Sequence, residues 1–548
     1  MKALILDGYV DEPAVLGIPP YVSHYVRYAA GILAMKNYDV SYRTIDQIRS
    51  DKSWGDLPFF DLVLIIGGVA VPGKYVGGEP MSHSELEKVL QACKKSIRLV
   101  AGPFSSFQAR KGGTKAIKSD LDVDYLLSPD IAVDLYNYLF GSKRNPNDWE
   151  IVRNASLFGA SIIKQHPRYP NVICEIELSR GCERRTHCSF CVESVFYPRF
   201  TSRPVSDVID EVSELYSHGC RAFRFGRSAN VLAYYSDIYG KPCPEVFKDL
   251  YETIWQRCPQ IDVLHHDNAN PAFIANYERE CSQILETIVK WDTPGDVLSF
   301  GVESFDLRVI KMNNIMNFPH QVLKAIEIVN HVGLVRIDGV PKLLPGINLL
   351  YGLIGETKQT YEENFKWLKS ILDRDLLLRR INVRQVIIEP GTPLYRFSQM
   401  KKLKLNKEIF NLYKQKIREQ IDLPMIQKVF PVGCILRKVY PEYKEGKITF
   451  ARQLGSYPVL VGVVGEMLST SDVVVVDHGP RSITALRYPL NVNTASFDEL
   501  VHIPTIGEKR ARKILLARPF KSFEEVIQTL ENDQECSRAL RQIGAVVS

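Results

Sequence analysis

The sequence predicts an α/β chain in several parts: an N-terminal doubly wound parallel sheet, a partial barrel of six strand–helix units, a small antiparallel β-barrel and a helical tail. Three observations predict it. Short apolar runs alternate with helix-like stretches over residues 1–150 and again over 165–400, as parallel sheets covered by helices require. Three of the eleven cysteines, Cys182, Cys188 and Cys191, crowd onto one segment directly after a strand-like run. Past residue 430 the pattern turns to short β-rich runs, and past 489 to a compact helical motif, with 401–429 as a helical linker.

Composition narrows the class. Hydrophobic residues make up 45% and charged ones 24%, the balance of an ordinary globular chain. No apolar run reaches the roughly 18 residues that suggest a membrane span. Met1 to Asp7 reads as the start of a strand rather than a signal peptide, and scattered cysteines argue against a disulfide framework, so the expected location is cytoplasmic. A net charge of +6 over 548 residues calls for no nucleic-acid partner by itself.

In the first part, Lys2 to Leu6, Asp61 to Ile66 and Ile97 to Ala101 read as strands, with helices near Ser23 to Lys36 and Ser84 to Lys94. Each strand ends at a small or glycine-rich turn: Asp7-Gly8-Tyr9, Gly67-Gly68-Val69-Ala70 and Gly102-Pro103-Phe104-Ser105. Glycines there let a ligand approach the backbone at the carboxyl edge of the sheet, and equally serve as tight turns. The loop Leu16 to Ser23 is either a further ligand contact or a rigid prolyl turn.

The run Val172 to Leu178 alternates as a strand and breaks at Gly181, which puts the cysteines on a loop at the carboxyl end, where α/β barrels keep their chemistry. Thiolates suit zinc or iron–sulfur clusters, but no second Cys-x2-Cys pair exists to complete a zinc site. Three ligands on one loop suit a 4Fe–4S cluster with one open iron. This loop resembles that of the radical S-adenosylmethionine (SAM) enzymes, whose usual spacing is Cys-x3-Cys-x2-Cys with an aromatic residue before the last cysteine. Phe190 fills the aromatic position; the first gap here is five residues instead of three.

The same resemblance places SAM along the strand ends. Gly226 and Arg227 stand where the family holds the aminoacyl group, although its Gly-Gly-Glu is absent; Arg227 reads as a carboxylate partner or a surface residue. Glu303 and Ser304 match the fourth-strand Gly-x-Glu-Ser beside the ribose, and Ile354 and Gly355 the fifth-strand motif beside adenine. His265, His266 and Asp267 read as polar lining rather than a metal site. A doubly wound domain ahead of such a core resembles the cobalamin-dependent subclass. The resemblance implies cobalamin at the three strand-end turns above. No Asp-x-His-x-x-Gly occurs, so cobalt would carry no protein histidine.

The β-rich runs over 430–488 resemble, more weakly, the TRAM domain, which either binds RNA or caps the core. Leu490 to Ala511 resembles a helix-hairpin-helix, whose Pro-x-Ile-Gly turn offers backbone N–H groups to a phosphate. Acidic and basic residues balance at eight each over 491–548, which argues for docking over strong nucleic-acid binding.

Taken together, the resemblances imply a cobalamin-dependent radical SAM C-methyltransferase fed by an external low-potential electron donor. Its domain order is similar to that of a family from methanogenic archaea whose members methylate the α-carbon of a glutamine in methyl-coenzyme M reductase, which makes that subunit the expected substrate. Two rivals stand beside it. A tRNA methylthiotransferase would need three cysteines in its N-terminal domain, where only Cys93 precedes residue 174. A nucleic-acid-binding protein with a structural cluster would not cleave SAM.

Overall fold

The computed structural model describes residues 1–12, 15–69, 76–108, 112–401, 403 and 405–547. Strands β1 (Lys2–Glu12), β2 (Asp39–Thr44), β3 (Leu62–Val69) and β4 (Ile97–Ala101) form a parallel sheet in the order β2-β1-β3-β4, extended by Tyr125–Leu126. Successive residues alternate between two buried faces. Ala3, Ile5, Leu62, Leu64 and Leu99 share a cluster with helix α1 (His24–Met35). Leu4, Leu6, Val63, Ile65 and Val100 pack with Leu86 and Val89 of α2 (His83–Ala92). Burial on both faces explains why these strands read as unbroken apolar runs. The strand order reverses between β1 and β3, and the crevice beyond their carboxyl ends is the usual ligand position in such a sheet.

The second sheet holds six parallel strands in chain order: β5 (Ile173–Glu177), β6 (Ala222–Gly226), β7 (Val263–His266), β8 (Asp296–Glu303), β9 (Leu343–Tyr351) and β10 (Arg380–Gln385). Asn268–Ala269 carries the pairing from β7 across to β8. The order is that of a partial barrel, open beyond β10. Tyr21–Val22, from the N-terminal part, adds to the opposite edge beside β5.

The two sheets share one core. Helices α1 and α3 (Trp149–Phe158) cross so closely that a Cβ on Gly31 would lie 1.9 Å from the Ala155 carbonyl oxygen. Beneath them Glu211, on α4 (Val205–Ser217), sits between Arg27 and Arg203, all three fully buried. Arg27 Nη1 also donates to the Val22 carbonyl at 2.7 Å, and Arg203 Nη2 to Ser156 Oγ at 3.2 Å. One carboxylate therefore ties α1, α3, α4 and the barrel edge together.

The third part is a closed barrel of β11 (Ile435–Glu445), β12 (Ile448–Arg452), β13 (Leu460–Val464), β14 (Ser471–Gly479) and β15 (Ser482–Arg487), in the order β11-β12-β13-β15-β14. The expectation of a purely antiparallel barrel is corrected: β13 and β15 pair in parallel. The chain crosses the barrel in β14 and returns in β15, so β15 meets β13 running the same way. That order is the oligonucleotide-binding topology.

Its Leu454–Tyr457 loop plugs the amino-terminal end of the partial barrel. Leu454 packs with Ile173, Ala222 and Val263, and the Tyr457 hydroxyl donates to Asp267 at 3.1 Å. Ser456 N donates to His265 Nδ1 at 2.8 Å, and His266 pairs with Asp296. The histidine–aspartate run is thus polar lining tied to this plug, and the carboxyl-terminal mouth is left as the way in.

Helices Phe497–Val501, Glu508–Ala517, Phe523–Thr529 and Gln534–Gln542 make up the tail, which packs on Val464, Val474, Val476 and Leu486 of the small barrel. Three of its eight basic residues are paired internally: Arg510 with Asp533, Arg512 with Glu508 and Lys513 with Glu531. Among the described residues, no helix is long and apolar enough to cross a membrane.

Candidate active site

Gly181 begins the cysteine loop with φ of +79°, and a Cβ there would lie 2.4 Å from the Arg199 carbonyl oxygen, so only glycine fits the bend. Its N–H donates to Glu193 at 2.8 Å, and Glu193 also takes Arg227 through both oxygens at 3.0 Å. The start of the loop is thereby fixed to the end of β6. Its far side is held by Asn313, whose Oδ1 accepts from Ser189 Oγ at 2.7 Å and from the Ile354 N–H at 3.2 Å.

The five-residue first gap has a structural use. Arg184, inside it, points Nη1 at Cys188 Sγ at 3.3 Å and at the Ile315 carbonyl at 2.6 Å, while Nη2 reaches Asn270 at 2.8 Å. Glu183 accepts from Asn230 and Asn270. The longer loop is therefore pinned across the mouth of the barrel.

Burial pushes all three thiols up, each is raised further by a neighbouring acidic group, and Arg184 pulls Cys182 and Cys188 back part of the way. Among the described residues no three such side chains converge on a single ion. A cubane does not ask for that, because each thiolate binds a different iron. Three thiols on one braced loop fit a 4Fe–4S cluster with one iron left free. Phe190 packs beside Cys188 against Ile354, Leu353 and Val386.

The other expected SAM residues divide. Glu303 ends β8 with φ of +62°, and Arg227 follows β6 with φ of +47°; both are left-handed conformations that cost side-chain-bearing residues about 1–2 kcal/mol. Burial raises the Glu303 carboxyl to about 7 against the pull of Arg184 and Arg384, so it stands at the mouth ready to take a hydroxyl or a cation. Ser304 is fully buried, its hydroxyl donating to Asn364 at 3.4 Å and accepting from the Asp306 N–H at 3.1 Å. Arg227 has its carboxylate within the protein, in Glu193. Gly226 makes room for the Glu175 carboxylate, which would sit 1.8 Å from a Cβ. Gly355 turns with φ of +87° against Met312.

The strand-end turns of the first sheet divide as well. Gly102 and Pro103 line a narrow, mostly apolar cleft with Glu12, Tyr25, Val192 and Phe196, and the last two directly follow the cysteine loop. The carboxyl edge of the sheet therefore faces the expected cluster. Asp7, in contrast, is buried and accepts from the Tyr42 hydroxyl at 2.7 Å and the Tyr9 N–H at 2.9 Å. Tyr9 is buried with its hydroxyl on Asp46, Gly8 is covered by Met81, and Gly67 and Gly68 are covered by Phe104. Ser105 donates to the Gly102 carbonyl and Val69 is half-buried, while Ala70 lies outside the described residues. The turn at Gly102 and Pro103 faces the residues that follow the cysteine loop across this narrow cleft; the β1 and β3 turns are filled by the protein's own side chains.

Sequence reasoning missed Arg184, Glu193, Asn313 and two carboxyls near the cleft, Glu12 and Glu389. Burial raises Glu12 to about 7 and Glu389 to about 8, and Glu389 Oε2 has no hydrogen-bond partner. The nearness of Glu12 and Glu389 to the cysteines comes from folding across 170 residues or more, and no local pattern marks them.

Asp7 gives a stability prediction. Burial raises its carboxyl from 3.8 to about 7, against the Tyr42 and Tyr9 hydrogen bonds. A folded value above the unfolded one means the contribution is complete below pH 3.8 and is lost as pH rises through about 7. Asp7→Asn removes that titration. Its thermal midpoint is expected to fall less than the parent's between pH 5 and pH 8, by a difference worth about 2.5 kcal/mol. Parallel slopes for the two proteins in differential scanning calorimetry would contradict this.

A six-stranded parallel partial barrel with a three-cysteine loop at its mouth is the radical SAM fold, and this chain has it. No family model matches the chain. It is 41% identical over 532 residues to an uncharacterized protein of Archaeoglobus fulgidus, covering 96% of this chain and 97% of that one. It is also 41% identical over 511 residues to the uncharacterized protein MJ0274 of Methanocaldococcus jannaschii, covering 88% and 92%. The chain belongs to the family these two proteins define. More distantly, it is 23% identical over 293 residues to the ribosomal protein uS12 methylthiotransferase RimO of Clostridioides difficile, covering 52% of this chain and 58% of that one. Among solved structures it is similar to the cobalamin-dependent S-adenosylmethionine radical enzyme OxsB, at 11% identity and a TM-score of 0.44, covering 75% of this chain and 56% of that one.

Proposed function

We propose that this protein is a SAM-cleaving radical enzyme that methylates an unactivated carbon, with cobalamin in the cleft between the first sheet and the cysteine loop. The observation that carries this reading is that Gly102 and Pro103 line one cleft with Val192 and Phe196, which follow Cys191 within five residues. A methyl donor bound at that edge would adjoin a cluster on Cys182, Cys188 and Cys191. When bound, the cluster supplies reductive cleavage of SAM and cobalamin supplies the transferable methyl group.

The chain's own residues do the rest. Arg184 and Asn313 hold the loop rigid, and Glu303 takes a ribose hydroxyl or the substrate at the mouth. The Leu454–Tyr457 plug keeps water from entering through the amino-terminal end. The methylthiotransferase reading lacks its second cluster: the first sheet offers only Cys93, which is buried.

The test is anaerobic incubation of reconstituted enzyme with SAM and a low-potential reductant. Release of 5′-deoxyadenosine, together with uptake of cobalamin whose cob(II)alamin spectrum shows no nitrogen superhyperfine coupling from a protein histidine, is the expected result. Cleavage without cobalamin uptake would remove the methyl-transfer reading and keep the radical one. The same mixture with a peptide spanning the glutamine of methyl-coenzyme M reductase, analysed by mass spectrometry, tests a peptide acceptor against an RNA one.

A further inference from the structure

Most buried arginines of this protein are matched by carboxylates. Arg27 and Arg203 share Glu211, Arg224 has Glu175 and Asp267, Arg180 has Glu177 and Asp130, and Arg227 has Glu193. A partly exposed cationic group has no such match. Arg481, between β14 and β15, has Arg380 and Arg384 of β10, Lys414 of α5 (Lys407–Ile417) and Arg418 in the next turn as electrostatic neighbours, with Arg418 and Arg481 themselves exposed. Among the described residues none of the five forms an ion pair, and Asp422 is the one carboxylate that faces Arg380, Arg418 and Arg481. Arg379 beside them leaves Nε buried without a partner. Burial first, then neighbouring arginines, pulls Arg380 down to about 10 and Arg379 to about 9.

The group sits at the open side of the partial barrel, where β10 has no further strand partner. It spans three parts of the fold: the last barrel strand, the helical linker and a hairpin turn of the small barrel. Arg384 connects it to the mouth, because Arg384 and Arg184 both face Glu303. Tyr457 of the plug lies under Arg380, 4.5 Å from guanidinium carbon to ring centroid. Five cations against two carboxylates, Asp422 and, at the mouth, Glu303, constitute a site for several negative charges in a row. An oligonucleotide-binding topology contributes one side of it.

Resting on the radical SAM reading above, we propose that this cluster grips consecutive phosphates of a single-stranded nucleic acid and presents one nucleotide to the barrel mouth. The guanidinium groups take phosphate oxygens in pairs, which lysine-rich surfaces do not. The tail, whose eight basic residues are balanced by eight acidic ones and three of them paired within it, is then not the main contact.

Fluorescence anisotropy of the full-length protein with a 5′-fluorescein-labelled 12-nucleotide RNA tests this. Affinity is expected to fall with salt at a slope of about 0.7 per phosphate contact. Arg418→Gln combined with Arg481→Gln should weaken binding about tenfold or more and flatten the slope by about 1.4. Lysine at both positions should restore the salt slope but only part of the affinity, because it returns the charge without the paired hydrogen bonds, which separates lost charge from misfolding. Arg512→Gln, on the tail, should bind as the parent does and keep SAM cleavage. Binding unchanged in the double glutamine variant, or weakened only by Arg512→Gln, would overturn the proposal. So would tight, arginine-dependent binding of a labelled polyglutamate peptide with none of RNA, which would reassign the site to an acidic polypeptide. RNA binding needs no cluster chemistry, so failure of SAM cleavage by the parent protein would count against the enzymatic reading alone.

Discussion

Replacing Cys182, Cys188 or Cys191 with alanine is expected to abolish 5′-deoxyadenosine release and to leave anaerobically reconstituted protein without a stoichiometric 4Fe–4S cluster. Each thiolate holds a different iron, so two remaining ligands cannot keep the cubane, and no other cysteine stands ready to replace the third. Cys174 and Cys220 are buried in the core, and Cys243 lies beyond β6 in the chain. Iron and sulfide analysis with electron paramagnetic resonance of the reduced protein reads the cluster, and chromatography reads the nucleoside. The fold should survive, because the three side chains are only partly buried and the loop is held by Gly181, Arg184, Ser189 and Asn313. An alanine variant that keeps its iron and still cleaves SAM would refute the assignment of these three residues. Replacing Arg184 with Met in the same assay asks whether the longer loop needs its brace. Its cluster should form but cleave SAM more slowly.

The second large effect is structural. Glu211→Ala is expected to cost about 3–5 kcal/mol, because it strands two fully buried guanidinium groups without their shared carboxylate. Measured by denaturant unfolding, that is a large part of the roughly 5–15 kcal/mol that holds a typical domain. Burial alone would raise the Glu211 carboxyl; Arg203 and Arg27 more than reverse this and hold it low. A folded value below the unfolded one places its contribution above the ordinary carboxylate range and removes it as pH falls through the folded value. Glu211→Gln keeps the shape and loses the charge, so it should be nearly as damaging. A cost below about 1 kcal/mol for either variant would mean that the network is not what joins the two sheets.

Much of this was legible in the residues. Apolar runs buried on both faces had to be parallel strands, and Gly181 had to begin a loop where the Arg199 carbonyl leaves no room for a Cβ. Cys182, Cys188, Phe190 and Cys191 announced their chemistry by type and spacing, because metal ligation restricts both. Short strands such as Asp39–Thr44 and Ser482–Arg487 were not legible. The first is half-exposed and polar, and the second follows a turn whose pairing partner, β13, is set by barrel closure.

What only the tertiary structure decided is which polar groups are spent on the fold and which are left over. In the sequence Arg27 and Glu211 are indistinguishable from solvated charges on amphipathic helices, and Arg203 from one on a connecting loop; folding buries them together. Ser304 and Asp7 match the patterns of ligand contacts, yet their oxygens are engaged by Asn364, Asp306, Tyr42 and Tyr9. Arg384, Arg418 and Arg481 look no different from the paired arginines, and stand apart only because the fold gathers them and supplies no carboxylate in contact. The physical reason is range. Backbone conformation and metal ligation are fixed by residue type over a few positions, whereas the partner of a buried charge is chosen by elements tens to hundreds of residues away.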